Sequence, residues 1–176
     1  MDIAIALVAG VTALFLLNLL SYRILKPRII RQRQNWDLNI CCGDTDGGGV
    51  NADIVAQDVA NFVLIPDIYR LPFKDGEFEH VLCSHTIEHV DDPDAFWAEL
   101  NRVGKGVTLV LPPLWDLAAA LNIFEHKWIF LSWRKRHHAL PRHFELPWAQ
   151  RYQKRFGQVV ANSMMQRLRE LAASRT

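Results

Sequence analysis

A chain of 176 residues, half of them hydrophobic and 22% charged, has room for one ordinary domain plus a short appendage, and is too apolar for a disordered tail. Three cysteines, two of them adjacent at Cys41 and Cys42, make neither a disulfide framework nor a zinc ribbon and point to a reducing compartment. The net charge of +1 conceals a segregation, with five basic and one acidic side chain over 1–36, two and fourteen over 37–100, and thirteen and four over 101–176; a uniformly basic nucleic-acid binder does not look like this.

The first element is apolar throughout. Residues 3–20 (IAIALVAGVTALFLLNLL) contain no charge and no proline. As a helix they rise roughly 27 Å, close to the hydrocarbon thickness of a bilayer. Only Thr12 and Asn18 are polar at depth. Asp2 is the sole charge before the run and no small-residue cleavage site follows, so a cleaved signal peptide fits poorly. A core helix apolar on every face would be out of scale with so small a domain. The pattern predicts a transmembrane anchor over 1–22. Arg23, Lys26, Arg28, Arg31 and Arg33 come next, with Tyr22 and Trp36 at interface depth. Positive flanks stay inside, which puts the N-terminus outside and the rest of this single-pass chain in the cytoplasm. The same cations attract anionic membrane lipid. Pro27 and the Arg/Gln alternation predict a connector over 23–36 that is at most partly helical.

Four short extended runs follow: 37–42, then Val50–Ile54, Asn61–Ile65 and Phe78–Cys83, the first halted by the glycine-rich GDTDGGG. Asp92-Pro93 supplies a helix cap, and Phe96, Trp97, Leu100 and Val103 recur at helical spacing until Gly104 and Gly106 close the helix. Val107–Leu111 is a fully apolar strand stopped by Pro112-Pro113. Apolar strands alternating with loops and a helix predict an α/β, Rossmann-like, mostly parallel sheet over 37–147, with ligands bound beyond the strands' carboxyl ends. Leu114–Phe130 reads either as a covering helix or as a membrane-surface segment. Residues 134–143 are densely basic, a solvated face by default. Residues 148–176 read as a C-terminal helix, with Val159, Val160, Met164, Met165 and Leu168 on one side and Gly157 interrupting it.

The order of these pieces resembles the class I S-adenosylmethionine-dependent methyltransferases. The resemblance is carried by Leu38-Asn39-Ile40-Cys41-Cys42-Gly43, Asp53-Ile54, Asp67-x-x-x-Leu71-Pro72-Phe73, Phe78-Glu79-x-Val81 and Ser84-His85-x-x-Glu88-His89-Val90-x-Asp92-Pro93. It implies a truncated methyltransferase fold and S-adenosylmethionine as cofactor. In that reading the turn at Gly43 brings backbone N–H groups to the methionyl carboxylate, and Asp53 accepts the ribose hydroxyls. Asp67 receives the adenine amino group, and Leu71 and Phe73 line its surroundings. Ser84 and His85 follow the fourth strand where the methyl group is presented. Asn39 and Cys41 complete the first motif, and His85 or His89 is the candidate base. For His89 a backbone bond in the turn before the helix is the blander role.

The sequence departs from the family in five places, one of them Phe78-Glu79 where Phe-Asp is commoner. Asn39 stands where an acidic residue is usual and lacks the charge that would attract the cofactor's ammonium. Cys41 stands where glycine is usual, in the cofactor's path. The stretch from Gly43 to Asp53 is too short for a full crossover helix, and no clear sixth or seventh strand follows. Two functions stay open on these grounds. One is a membrane-anchored methyltransferase at the cytoplasmic face. The other is a catalytically inactive, methyltransferase-derived binding or structural subunit of a membrane protein complex. His85-x-x-Glu88-His89 also matches the pattern of inverted zinc peptidases, but it follows an apolar strand instead of lying on a helix, so no metal ligand is assigned. Asp44, Asp46, Asp91, Asp92 and Asp94 fit no calcium loop and read as turn and cap residues.

Overall fold

The computed structural model describes residues 3–33 and 35–158. Helix α1 (Ile3–Leu19) continues through a π-helical turn (Leu20–Leu25) into α2 (Lys26–Ile30). The expected loose connector is therefore helical as far as Ile30. Pro27 causes the irregularity without breaking the helix: it sits in the first turn of α2, and the Lys26 N–H donates one residue further back than usual, to the Ser21 carbonyl. Side chains 3–16 of α1 are exposed on every face, although they are almost all apolar. Contact with the rest of the chain begins at Leu17.

Six strands form one sheet in the order β3-β2-β1-β4-β5-β7, parallel except for β7. They are β1 (Trp36–Ile40), β2 (Gly48–Asp53), β3 (Phe62–Leu64), β4 (Phe78–Ser84), β5 (Gly104–Val110) and β7 (Arg136–His137). The fold is α/β and Rossmann-like, as the pattern predicts. A sixth strand does exist. It comes from the basic stretch, too short and too polar to be legible as a strand, and it is held by pairing with β5. β6 (Trp128–Phe130) and β8 (His143–Glu145) make a separate antiparallel pair. The undecided region after Pro113 is mostly loop, with one short helix α4 (Leu117–Ala120).

No helix links β1 to β2. Residues 41–47 make the return directly, and seven extended residues reach about 23 Å, enough to run back along a five-residue strand of about 16 Å. The return path lies tight against β1. A Cβ at Gly47 would come within 2.6 Å of the Asn39 Cβ, so glycine is required there. Helix α3 (Pro93–Val103), capped by Asp92, does cross between β4 and β5, burying Phe96, Leu100 and Val103. Gly104 ends this helix as expected, capping it with extended backbone at φ −117° and opening β5; a Cβ there would lie 2.3 Å from Val81 Cγ2.

The two faces of the sheet are covered differently. Val81, Cys83, Val107 and Leu109 join the main core with α3 and Phe130. Leu82 and Val110 point the other way and meet Ile29, Ile30 and Trp36. The end of the N-terminal helix thus covers the face that a crossover helix would otherwise occupy. α5 (Pro147–Phe156) stops at Gly157, at φ +81°. The remainder of the expected C-terminal helix, with Val159, Val160, Met164, Met165 and Leu168, lies outside the described residues.

Candidate functional site

A cavity of about 390 Å³ opens at the carboxyl ends of β1, β2 and β4, where a parallel sheet places its ligands. Cys41, Asp53, Tyr69, His85, Thr86 and His89 line it, with Lys127 and Gln158. Cys41 and His85, at the ends of β1 and β4, take left-handed backbone angles (φ +51° and +54°) that non-glycine residues seldom adopt. Gly43 does the same at φ +53°. The Asp53 carboxylate accepts the Gly43 N–H at 2.9 Å through Oδ2 and the Val55 N–H at 3.1 Å through Oδ1. Tyr69 Oη accepts the N–H groups of Asp91 and Asp92, which fixes the loop between β4 and α3 against the cavity.

Of the ten residues singled out from sequence, the structure gathers four around this cavity: Cys41, Asp53, His85 and His89. The other six lie outside its wall, Phe73 packing on the core edge-on to Phe78. Asn39 is buried in the 41–47 return, its amide donating to the Thr45 carbonyl at 2.8 Å and to Asn51 Oδ1 at 3.1 Å. Gly43 directs its N–H at Asp53. Asp67 accepts the Tyr69 N–H in a turn, and Leu71 is a core side chain whose N–H donates to Glu99. Ser84 Oγ is buried without a partner. Of the acidic residues read as turn and cap groups, Asp46 accepts the Gly48 N–H and Asp92 caps α3, whereas Asp91 pairs with Lys127 and Asp94 with His143.

Behind the cavity the N-terminal helix meets the sheet in a buried polar cluster that no sequence pattern announced. The Tyr22 ring lies 4.6 Å from the His85 ring, centroid to centroid, and its hydroxyl is 3.2 Å from His85 Nδ1. Lys135 donates to Ser21 Oγ at 2.7 Å and approaches His85 Nε2 at 3.1 Å, while Asn18 donates to Asp116 at 3.1 Å. A protonated lysine can only donate, so Nε2 of His85 accepts and the ring proton belongs on Nδ1. That nitrogen is also 3.1 Å from Glu88 Oε1. Burial lowers the His85 imidazole well below its ordinary range, and the nearby Lys135 charge adds to this. Burial also lowers Lys135 to about 8. Glu88, fully buried, is pushed up to about 8, while burial holds His89 at about 4 and His126 at about 3. Glu88 sits in a mostly polar stretch between Ile87 and His89, and nothing beside it in sequence announces its burial. Lys135 and His126 lie 50 and 41 positions from His85, and only the tertiary fold brings them in.

Residues 34–110 match the family model described as a methyltransferase domain. The match spans β1 to β5, and the strand order and the cavity agree with it. No curated protein gives a significant match. Among solved structures, the chain is similar to the YcgJ protein of Bacillus subtilis, at 18% identity and a TM-score of 0.42, over 57% of this chain and 59% of that one. A SAM-dependent methyltransferase from Aquifex aeolicus gives 14% identity and 0.37, over 48% and 62%. The Haloferax volcanii complex between the Trm112 methyltransferase activator and a methyltransferase gives 17% and 0.38, over 48% and 50%. The chain thus spans half to three fifths of the length of these structures.

The cofactor of such a methyltransferase domain is S-adenosylmethionine, and the residues present fit it. Each Asp53 oxygen holds one backbone N–H and keeps a lone pair for a ribose hydroxyl. Ile54 and Ile68 give the cavity an apolar side suited to an adenine ring.

Proposed function

We propose that this chain is a membrane-anchored methyltransferase that works at the cytoplasmic face of the membrane on an acceptor the membrane brings to it. The observation that carries this reading is the seat of Tyr22 on His85: the end of the apolar N-terminal helix packs directly behind a cavity-lining side chain. One helix, Ile3–Ile30, is long and apolar enough to cross a membrane, and Arg23, Lys26, Arg28 and Arg31 follow its apolar part. Leu117, Leu121 and Phe124 are exposed beside or just beyond α4, which Asp116 ties to Asn18 near the end of the apolar stretch. Apolar side chains at that level suit a domain resting on lipid.

When bound, S-adenosylmethionine supplies an activated methyl group, so the protein's part is orientation and the exclusion of water. Asp53 would hold the ribose, Cys41 and Ile68 would border the nucleoside, and Tyr69 fixes the loop between β4 and α3 beside them. His85 and His89 face the acceptor side. Both nitrogens of His85 are engaged by neighbours, which favours a positioning role for it over that of base. A second reading, a non-catalytic subunit of a membrane complex, is favoured by one contact: the Gly43 N–H points at Asp53 and not into the cavity.

Titration calorimetry of the full chain in nanodiscs with S-adenosylmethionine separates the two readings. Saturable binding, followed by transfer of a labelled methyl group into the lipid extract of membranes, supports the enzyme. Absence of binding at millimolar cofactor refutes it and leaves the subunit.

A further inference from the structure

We propose that Glu88, His89 and His126 form a binding site for one divalent transition-metal ion at the edge of the cavity. One ligand atom from each of the three lies within 4.8 Å of the others. Glu88 is 0% exposed, and neither of its carboxylate oxygens makes a hydrogen bond. His126, also buried, has its Nδ1 without a partner and its Nε2 4.0 Å from Glu88 Oε1. A fully buried carboxylate with neither oxygen paired is seldom left bare in a folded protein, and a cation shared with the neighbouring imidazoles would satisfy it.

The surroundings are those of a prepared site. His89 Nδ1 is engaged by the Glu125 carbonyl at 3.0 Å, the outer bond that a ligating imidazole ordinarily makes, and this leaves Nε2 for the metal. His85 Nδ1 lies 3.1 Å from Glu88 Oε1 without hydrogen-bond geometry, so both carboxylate oxygens stay unpaired. The two segments that bring the ligands are clamped together by backbone bonds from Lys127 and Trp128 to the Glu88 carbonyl, and by the Trp128 indole on the Val90 carbonyl. Two imidazoles and one carboxylate suit zinc and its first-row neighbours better than calcium or magnesium. The sequence match to a peptidase motif paired His85 with His89. In the fold the partner is His126, which comes from a distant loop.

His89 lines the cavity, so the ion's open position faces it and can take an oxygen of the acceptor; that role, unlike the binding itself, rests on the methyltransferase reading. The test loads the chelator-stripped full chain in detergent with Co²⁺, follows the visible absorption, and counts bound metal by mass spectrometry. One ion per chain is expected, displaced by Zn²⁺. Affinity should fall at least tenfold in His126→Ala and in Glu88→Gln, the latter preserving the size of the buried side chain while removing its carboxylate. Absence of a stoichiometric ion overturns the proposal. So does binding that persists unchanged in Glu88→Gln, which would put the metal on His137, His138 or His143. S-adenosylmethionine titrated into the same samples keeps the two readings apart, since metal without cofactor binding defeats only the enzyme.

Discussion

Replacing Asp53 by alanine tests the cofactor site and the loop that builds it in one experiment. The carboxylate accepts two backbone N–H groups. Val55 is partly exposed, so water can take over its bond, but Gly43 is buried and its N–H would be stranded. A buried donor left alone costs roughly 1–3 kcal/mol. For a chain of this size that is a fall of roughly 3–10 °C in Tm. The same substitution removes the ribose acceptor. With S-adenosylmethionine at about 100 times Kd, the wild-type chain gains about 2.7 kcal/mol of stability from binding. A tenfold loss of affinity halves that gain, to about 1.4 kcal/mol. Differential scanning fluorimetry with and without cofactor reads both effects. A variant that melts early yet shows the full cofactor-induced shift would prove Asp53 to be a loop support that touches no ligand, and the ribose assignment would fall.

Lys135 sets a pH dependence. Burial lowers it to about 8 from an ordinary 10.5, so between these values the unfolded chain holds the extra proton. Stability therefore rises as the pH climbs from about 8 to 10.5, and Lys135→Met should flatten the rise in thermal melts taken across that window. Gly104→Ala forces a methyl group to within 2.3 Å of Val81 Cγ2 between two central strands and should cost roughly 1–3 kcal/mol in chemical denaturation; recovery in the Gly104→Ala, Val81→Ala double variant would show that this contact is the cause. Tyr22→Ala removes the ring on His85 and a hydroxyl contact, and should quicken proteolytic cleavage between Ile30 and Trp36; an unchanged rate would mean that Ser21, Ile29 and Ile30 hold the helix end without it. Trp133 is 70% exposed, and in nanodiscs with brominated lipid the wild-type chain should show more fluorescence quenching than Trp133→Phe if this surface meets the bilayer.

The strands, the capped helix and the apolar N-terminal run were legible because each is a local pattern: alternation or apolar runs, Asp92 before Pro93, and eighteen uncharged positions. The positions drawn from the family motifs were legible as an order along the chain, but not as a geometry. Asn39 and Gly43 serve the short return from β1 to β2, which has no helix to organise it, so their polar groups turn toward the loop. Tyr22 reads from sequence only as an interface residue, and Ser21, Lys135 and His126 escaped notice because nothing near them in sequence marks them. They matter only through a helix docking onto a sheet edge, and that depends on long-range packing. The helical run through Pro27 was missed for a related reason: packing of Ile29 and Ile30 on the sheet outweighs the proline's local preference.

The second face of the sheet owes its dryness to Ile29 and Ile30, residues that directly follow the bilayer-compatible stretch. Trimming the chain before Trp36 to obtain a water-soluble protein would leave Leu82 and Val110 bare across two central strands, and would take Tyr22 and Ser21 away from His85 and Lys135 as well. A truncated preparation that clumps or fails to bind cofactor would then report damage done by the scissors, and only the intact polypeptide gives a fair trial.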